Sequence, residues 1–331
     1  MTARAPWLAD QARQLLSQRG HAWLLQGPSG LGQYALALDL ARAWLCDHPT
    51  ADGACGTCAS CHAIDVRTHA DLAVLMPETA MQALGWPLSE KAQQDIDDKK
   101  RKASREIRVE AMRDAIEFAQ RTSSRGRGKV VLVYPAERMN TVTANALLKT
   151  LEEPPGDVRF LLASEAAHQL LPTIRSRCLG HPMRWPTQDE ALAWLAAEGV
   201  STTDAPVLLR AAGGRPEEAL ALHNAGRDAR QWSQLPKAIA RGDVSAFGDC
   251  TPAQAIDILQ KLCHDLLALR TGGQPRFFTG GDLPSTGSIA GLAAWWRDLA
   301  GEQRTAEHPF NAGLMLEALV ARARAALHSA S

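Results

Sequence analysis

Four of the seven cysteines lie close together in the sequence and have the spacing of a metal site. Two residues separate Cys55 from Cys58 and Cys58 from Cys61, and eight separate Cys46 from Cys55. Thiolates at this spacing suit a tetrahedral Zn²⁺ ion without an open coordination position. We therefore predict a structural zinc site on these four residues. Disulfide bonds, which a cytoplasmic compartment disfavours, and an iron–sulfur cluster are the alternatives.

A second group of residues has the glycine spacing of a nucleotide-binding P-loop. The segment GPSGLGQY places Gly27, Gly30 and Gly32 between a predicted strand and a predicted helix. Backbone N–H groups in such a loop can hold an anion, but ATP hydrolysis also needs a Lys on the phosphates and a Ser or Thr hydroxyl on Mg²⁺. Gln33 and Tyr34 occupy those two positions. The alternative is a glycine-rich turn unrelated to nucleotides.

The strand that would carry the acidic metal ligand of an ATPase departs from the pattern as well. In VVLVYPAE, the buried strand is followed by Tyr134 and Pro135, and neither residue can bind a metal ion or polarise water. Glu137 comes two residues later, and we interpret it as a solvated loop carboxylate. Because two separate parts of one active site are missing, we predict that this chain neither binds ATP productively nor hydrolyses it.

An arginine after a short predicted helix is a candidate phosphate ligand. Ser176, Arg177 and Cys178 end the segment LLPTIRSRC. The guanidinium of Arg177 could pair with a carboxylate of its own chain, or it could act as an arginine finger on phosphates bound by a neighbouring subunit. The residues alone leave both hypotheses open. We interpret Cys178 as a packed thiol.

Residues 99–129 form a basic stretch, with eleven Lys and Arg against four Asp and Glu. Such a stretch could contact a nucleic-acid backbone, although charge runs are usually solvated surfaces. Across the 331 residues the formal net charge is +0, so bulk charge favours neither nucleic acid nor membrane as a partner. The N-terminus lacks the apolar region of a signal peptide, and the apolar runs are too short to span a bilayer. A soluble cytoplasmic protein is the expectation.

Strand and helix patterns alternate in the first part of the chain. We predict buried strands at 21–26, 71–77, 129–136 and 158–165, and helices at 7–20, 32–45, 107–122, 140–155 and 170–178. Residues 78–106 are polar and are predicted to be a surface excursion. Three short helices follow at 187–199, 202–214 and 215–226, and helical patterning continues from 229 to the end. We therefore predict an α/β domain over 1–185 that contains the zinc module 46–61, a three-helix domain over 186–227, and an all-α domain over 228–331.

These segments together resemble the clamp-loader branch of AAA+ proteins. The resemblance is carried by HAWLLQGPSGLGQYALALDLARAWLC, by the four-cysteine module, and by ANALLKTLEEPP and LLPTIRSRC. It covers residues 1–225 well, whereas the last third matches only in being helical. Within this branch, ATPase members keep a Lys-Ser/Thr pair and an Asp-Glu pair. This chain lacks both pairs and therefore resembles the members that do not hydrolyse ATP.

The resemblance implies a RecA-like AAA+ domain with the P-loop NTPase fold, a helical lid and a helical collar that assembles a ring of five subunits. It implies that Arg177, with Ser176, completes the ATP site of an adjacent ATPase subunit, and that the four cysteines bind zinc. The implied partners are gamma/tau and delta subunits of DNA polymerase III, the sliding clamp, and primed DNA. Two rival hypotheses are an AAA+ ATPase with an unconventional P-loop and a zinc-stabilised DNA-binding module.

Overall fold

The protein is described by a computed structural model over residues 5–285, 287–304 and 311–328. The chain forms two compact units, Met1–Pro186 and Thr187–Ser331. The boundary lies one residue from the predicted end of the α/β domain.

The first unit is built on a sheet of five parallel strands. The strands are β1 (Ala22–Gln26), β2 (Leu72–Leu75), β3 (Lys129–Val133), β4 (Val158–Ser164) and β5 (Leu179–Pro182). Their order across the sheet is β2-β3-β4-β1-β5, and every pair of neighbours is parallel. All five residues of β3 are buried, as expected for a central parallel strand covered on both faces.

Helices connect the strands, because parallel neighbours need a crossover. The helices of this unit are α1 (Pro6–Leu16), α2 (Gln33–Leu45), α3 (Ala59–Asp65), α4 (Glu78–Ala83), α5 (Glu90–Asp97), α6 (Val109–Gln120), α7 (Thr141–Glu152) and α8 (Pro172–Arg175). The predicted RecA-like α/β fold class is confirmed. Four of the five strands and the longer helices lie where the sequence predicted them. The patterning missed β5, which is mostly exposed, and the three helices α3, α4 and α5.

The polar segment 78–106 has more structure than the sequence predicted. It contains α4 and α5, and the buried carboxylate of Glu78 fixes it. Arg101 donates to both carboxylate oxygens at 2.5 and 2.8 Å, and the backbone N–H of Ser104 donates at 2.7 Å. Burial alone would raise the pKa of Glu78, but these hydrogen bonds to its charged form hold the pKa below the usual range.

The second unit is helical throughout its described part. Its helices are α9 (Gln188–Ala197), α10 (Asp204–Ala211), α11 (Pro216–Asn224), α12 (Ala229–Arg241), α13 (Pro252–Arg270), α14 (Ile289–Gln303) and α15 (Ala312–Leu327). The first three agree with the three short helices predicted from the sequence. The fully buried carboxylate of Asp265 accepts hydrogen bonds from the backbone N–H groups of Arg276, Phe277 and Phe278, which anchors the connection between α13 and α14. The division of this unit near residue 227 stays a prediction.

Among the described residues, none of the helices has both the length and the apolar character to cross a bilayer.

Candidate functional site

The glycine loop lies between β1 and α2 at the carboxyl end of the sheet. Gly30 and Gly32 have φ values of 81° and 91°, in the left-handed region that favours glycine. A side chain at Gly27 would bring its Cβ to 3.0 Å from Cβ of Met183. The glycines are therefore required by backbone conformation and close packing, whether or not the loop holds a ligand.

The side chain of Gln33 is buried and bonds to the loop itself. Its Nε2 donates to the carbonyl oxygens of Gly27 at 2.8 Å and Pro28 at 2.7 Å. A primary amide has two N–H donors, so both are used within the loop. The remaining polar atom of the side chain is a carbonyl oxygen, which accepts hydrogen bonds and cannot donate one to a phosphate.

Tyr34 and Tyr134 come from separate parts of the chain and stack on each other. Their ring centroids are 5.2 Å apart with an interplanar angle of 28°. The indole Nε1 of Trp86, a buried residue of segment 78–106, donates to the hydroxyl of Tyr34 at 2.6 Å. Burial raises the pKa of Tyr34, so the phenol is neutral. These three side chains, called here the aromatic cluster, lie beside the glycine loop.

Two carboxylates lie where β3 and β4 end, next to the aromatic cluster. Glu137 accepts hydrogen bonds from the hydroxyl of Ser164 at 2.7 Å and from the backbone N–H of Glu165 at 3.2 Å. Tyr134 donates its hydroxyl to Glu165 at 2.7 Å. The interpretation of Glu137 as a solvated loop carboxylate was wrong, because the end of β4 supplies it with donors. The charged groups named at this edge are negative, which is unfavourable for a polyphosphate.

The four predicted zinc ligands converge. The Sγ atom of Cys46 lies 3.5 Å from that of Cys55, 3.8 Å from that of Cys58 and 3.7 Å from that of Cys61. All four sulfur atoms lie within 4.8 Å of one another. Sulfurs bound to one tetrahedral zinc ion at about 2.3 Å are about 3.8 Å apart, whereas a disulfide requires about 2.0 Å. The cysteines are free thiols and could hold a metal ion together.

The elements around this four-cysteine site position its ligands. Cys46 directly follows α2, and Cys58 caps the N-terminus of α3, which carries Cys61. Hydrogen bonds from backbone N–H groups lower the pKa of Cys55 to about 6, and burial raises the pKa of Cys61 to about 12. A metal ion would hold all four as thiolates, because coordination deprotonates a thiol.

Arg177 forms an ion pair with a residue of its own chain. Its Nε donates to Oε1 of Glu152 at 2.7 Å, its Nη2 contacts the same oxygen, and its Nη1 donates to the carbonyl of Thr173 at 2.8 Å. Ser176 directly follows α8 and donates its hydroxyl to the Thr173 carbonyl at 3.2 Å. The intrachain pair is present, and the arginine finger stays a prediction. Burial raises the pKa of Cys178 to about 12, as expected for a packed thiol.

Much of the positive charge in 99–129 is paired with carboxylates. The side chains in ion pairs are Lys100 with Asp98, Arg101 with Glu78 and Asp95, Arg108 with Glu78, Arg121 with Glu117, Arg125 with Asp47, and Lys129 with Asp71. Most of these carboxylates lie outside the stretch, so the formal count overstates the charge available to a nucleic acid. Contact with DNA stays a prediction.

Comparison with known proteins places this arrangement in a family. Residues 9–184 match the model of a protein family described as "DNA polymerase III, delta subunit". The matched region is more than half of the chain and contains the glycine loop, the four cysteines and Arg177. The chain belongs to this family.

Individual relatives of this DNA polymerase III family give the same result. A protein of Pseudomonas aeruginosa named "DNA polymerase III subunit delta′" is 40% identical over 228 residues, which are 67% of this chain and 62% of that protein. Its Escherichia coli counterpart is 35% identical over 223 residues, 66% of this chain and 60% of that protein. The chain thus spans about three fifths of the length of these relatives. The resemblance to the clamp-loader branch, and within it to delta-prime, is confirmed.

A solved structure is also similar over most of the chain. It is a DNA polymerase III gamma subunit-related protein from Thermotoga maritima, with a TM-score of 0.47 and 18% identity. The match covers 97% of this chain and 100% of the Thermotoga maritima chain.

Sequence reasoning found the glycine loop, the cysteines and Arg177, but it missed Trp86, Glu152 and Glu165. One signal for the aromatic cluster was present, because the chain contains only two tyrosines and both replace catalytic positions. The contacts of Trp86, Glu152 and Glu165 depend on how distant segments fold together, and no residue spacing in the sequence predicts them.

Proposed function

We propose that this chain is a non-hydrolysing delta-prime subunit of a DNA polymerase III clamp loader. In this role it is one member of a heteropentameric ring with gamma/tau and delta subunits in the cytoplasm. The assembled ring places the sliding clamp on primed DNA, and the ATP that drives it is bound by the neighbouring ATPase subunits. The chain is then part of an enzyme complex without being an ATPase itself.

The contact between Tyr34 and Tyr134 carries this proposal. In a P-loop ATPase, the hydroxyl residue after the lysine and the acidic residue that follows the strand both bind one Mg²⁺ ion. Here the equivalent positions hold two rings in contact with each other. The stack therefore fills the volume between the loop and β3 that the metal ion would need. Trp86 holds the Tyr34 ring by donating its indole N–H to the Tyr34 hydroxyl.

The charges around the loop support the same conclusion. Gln33 occupies the position at which an ATPase has a lysine. Its side chain is neutral and donates both of its N–H groups to loop carbonyls. Glu137 and Glu165 add two carboxylates at the same edge. A bound triphosphate would lack its cation and meet two like charges, so the loop is retained for packing rather than for nucleotide chemistry.

Arg177 supports a role toward a neighbouring subunit. It lies on the partly exposed turn after α8 and contacts another partly exposed residue, Glu152, rather than a group of the glycine loop. A guanidinium in such a position is available to phosphates held by another chain. The proposed zinc ion, bound by the four converging thiols, stabilises the connection between α2 and α3 and supplies no step of the reaction.

Two measurements test this function. Affinity capture with gamma/tau and delta subunits should yield a stoichiometric complex that loads the clamp on primed DNA. The isolated chain should bind ATP no better than millimolar and show no turnover above background. Turnover by the isolated chain that is lost on changing Gly32 would favour the rival ATPase, and tight, salt-dependent DNA binding would favour the rival DNA-binding module.

A further inference from the structure

The ion pair between Arg177 and Glu152 joins two segments that are far apart in the sequence. Glu152 is the last residue of α7, and Arg177 follows α8. Three donors of the guanidinium are engaged, two on a single carboxylate oxygen and one on the carbonyl of Thr173. The guanidinium is thus held in a defined position in the isolated chain.

Packing beneath the ion pair fixes both ends of it. Leu147 and Leu151 of α7 are buried in the same apolar cluster as Ile174 of α8. Pro154 and Pro155 follow α7 closely, and proline cannot continue a helix. Glu152 therefore ends a helix whose position is set by the core, and its carboxylate does not depend on a mobile loop for its placement.

The ion pair is well placed, but the free energy that it contributes is small. The side chains are 31% and 47% exposed for Arg177 and Glu152. Exposed pairs of this kind shift an equilibrium by a factor of about 1.4 to 5. A polyphosphate carries several negative charges and forms charge-assisted, bidentate bonds with a guanidinium, so it can displace one exposed carboxylate.

We propose that Glu152 is a positioning residue that holds Arg177 until the phosphates of a neighbouring subunit's nucleotide displace it. This inference rests on the proposed function, because it needs Arg177 to reach such phosphates. Glu152 acts as a stand-in anion. It keeps the guanidinium at the surface and ordered, and it competes with the nucleotide for it.

The competition has a defined kinetic signature. Before nucleotide binds, Arg177 is paired with Glu152, and at saturating nucleotide it is paired with phosphate. Removing the carboxylate charge therefore favours the nucleotide-bound state without changing the state from which hydrolysis proceeds. For the assembled complex we expect Glu152→Gln to lower the KM for ATP by a factor of about 1.4 to 5 and to leave kcat unchanged.

Glu153→Gln is the matched control, since it removes the same charge from the next residue, which is also exposed. It should leave KM unchanged. The double variant Glu152→Gln with Arg177→Ala should have the KM and kcat of Arg177→Ala alone, because Glu152 acts only through that arginine.

The outcomes separate the two levels of the proposal. If Arg177→Ala lowers ATP turnover but Glu152→Gln changes neither constant, the role of Glu152 is overturned and the arginine finger stands. A lower kcat in Glu152→Gln, or the same KM change in Glu153→Gln, would also overturn it. If Arg177→Ala has no effect on turnover, both the finger and the role of Glu152 fail.

Discussion

Truncation of Tyr34 tests whether the aromatic cluster holds segment 78–106 on the glycine loop. Tyr34→Ala removes one ring of the stack with Tyr134 and also the acceptor of the Trp86 indole N–H. Tyr34→Phe removes only the acceptor. Tyr134→Phe is the matched control, since it keeps both rings and the Tyr34 hydroxyl and removes the hydrogen bond from Tyr134 to Glu165.

The structure gives the expected size of each effect. Leaving the buried indole N–H of Trp86 without a partner costs about 1–3 kcal/mol, and its slight exposure to water favours the lower end. An aromatic pair adds about 0.5–1.5 kcal/mol beyond its buried area. Full truncation of a buried aromatic costs about 3–5 kcal/mol, and Tyr34 is only partly buried. We expect about 1 kcal/mol for Tyr34→Phe and about 3 kcal/mol for Tyr34→Ala.

Hydrogen exchange at the backbone amide of Trp86 measures this locally. That amide donates to the carbonyl of Met81 at 2.8 Å and is exposed when segment 78–106 opens. Exchange should accelerate about 5-fold in Tyr34→Phe and about 150-fold in Tyr34→Ala, if opening of this segment governs exchange. Unchanged exchange in Tyr34→Ala, or equal acceleration in Tyr134→Phe, would refute the claim that the aromatic cluster holds this segment on the loop.

Three further predictions concern the metal site, segment 78–106 and the basic stretch. Metal analysis should find one equivalent of zinc per chain, and less than half an equivalent in Cys61→Ser, whereas Cys178→Ser should retain it. Glu78→Gln should destabilise the first unit by about 2–3 kcal/mol at neutral pH, measured by urea unfolding. Because the pKa of Glu78 is depressed by folding, its contribution is present above the unfolded pKa and is lost as pH falls through the folded value, so wild type and variant should converge in acid. For the isolated chain, single-stranded DNA binding should be weak at physiological salt, because ion pairs neutralise much of 99–129; nanomolar binding in a mobility-shift assay would contradict this.

The central part of the fold could be predicted because its physics is local. Strands β3 and β4 contain the continuous apolar runs VVLV and FLLA, as is typical of buried parallel strands. Strand β5 could not be predicted in this way, since LGHP is mostly exposed and is placed by its pairing with β1. The helices of segment 78–106, which the sequence predicts only as a polar surface excursion, could not be predicted because they have little buried apolar surface and depend on the carboxylate of Glu78.

In the candidate site, too, the contacts that could be predicted are those between residues close together in the sequence. Residue spacing was sufficient to predict the cysteine cluster, because its ligands lie within 16 residues of each other, and the sulfur distances agree with one metal ion. The contact of Tyr34 with Tyr134 spans 100 positions and depends on the sheet that brings the two ends together. Glu137 was misjudged for the same reason, because its donors come from the end of β4.

ATP turnover by the reconstituted clamp loader tests the central claim most directly. The measurement compares complexes that contain wild-type chain, Arg177→Ala, and the control Arg175→Ala, which changes the exposed arginine at the end of α8, two residues before Arg177. An arginine finger contributes about 10³–10⁵ in rate at the site that it serves. We predict that the Arg177→Ala complex assembles normally and that its ATP turnover falls by the fraction that the site served by Arg177 contributes to the total. The Arg175→Ala complex should turn over ATP at the wild-type rate. Undiminished turnover in an intact Arg177→Ala complex would contradict the account.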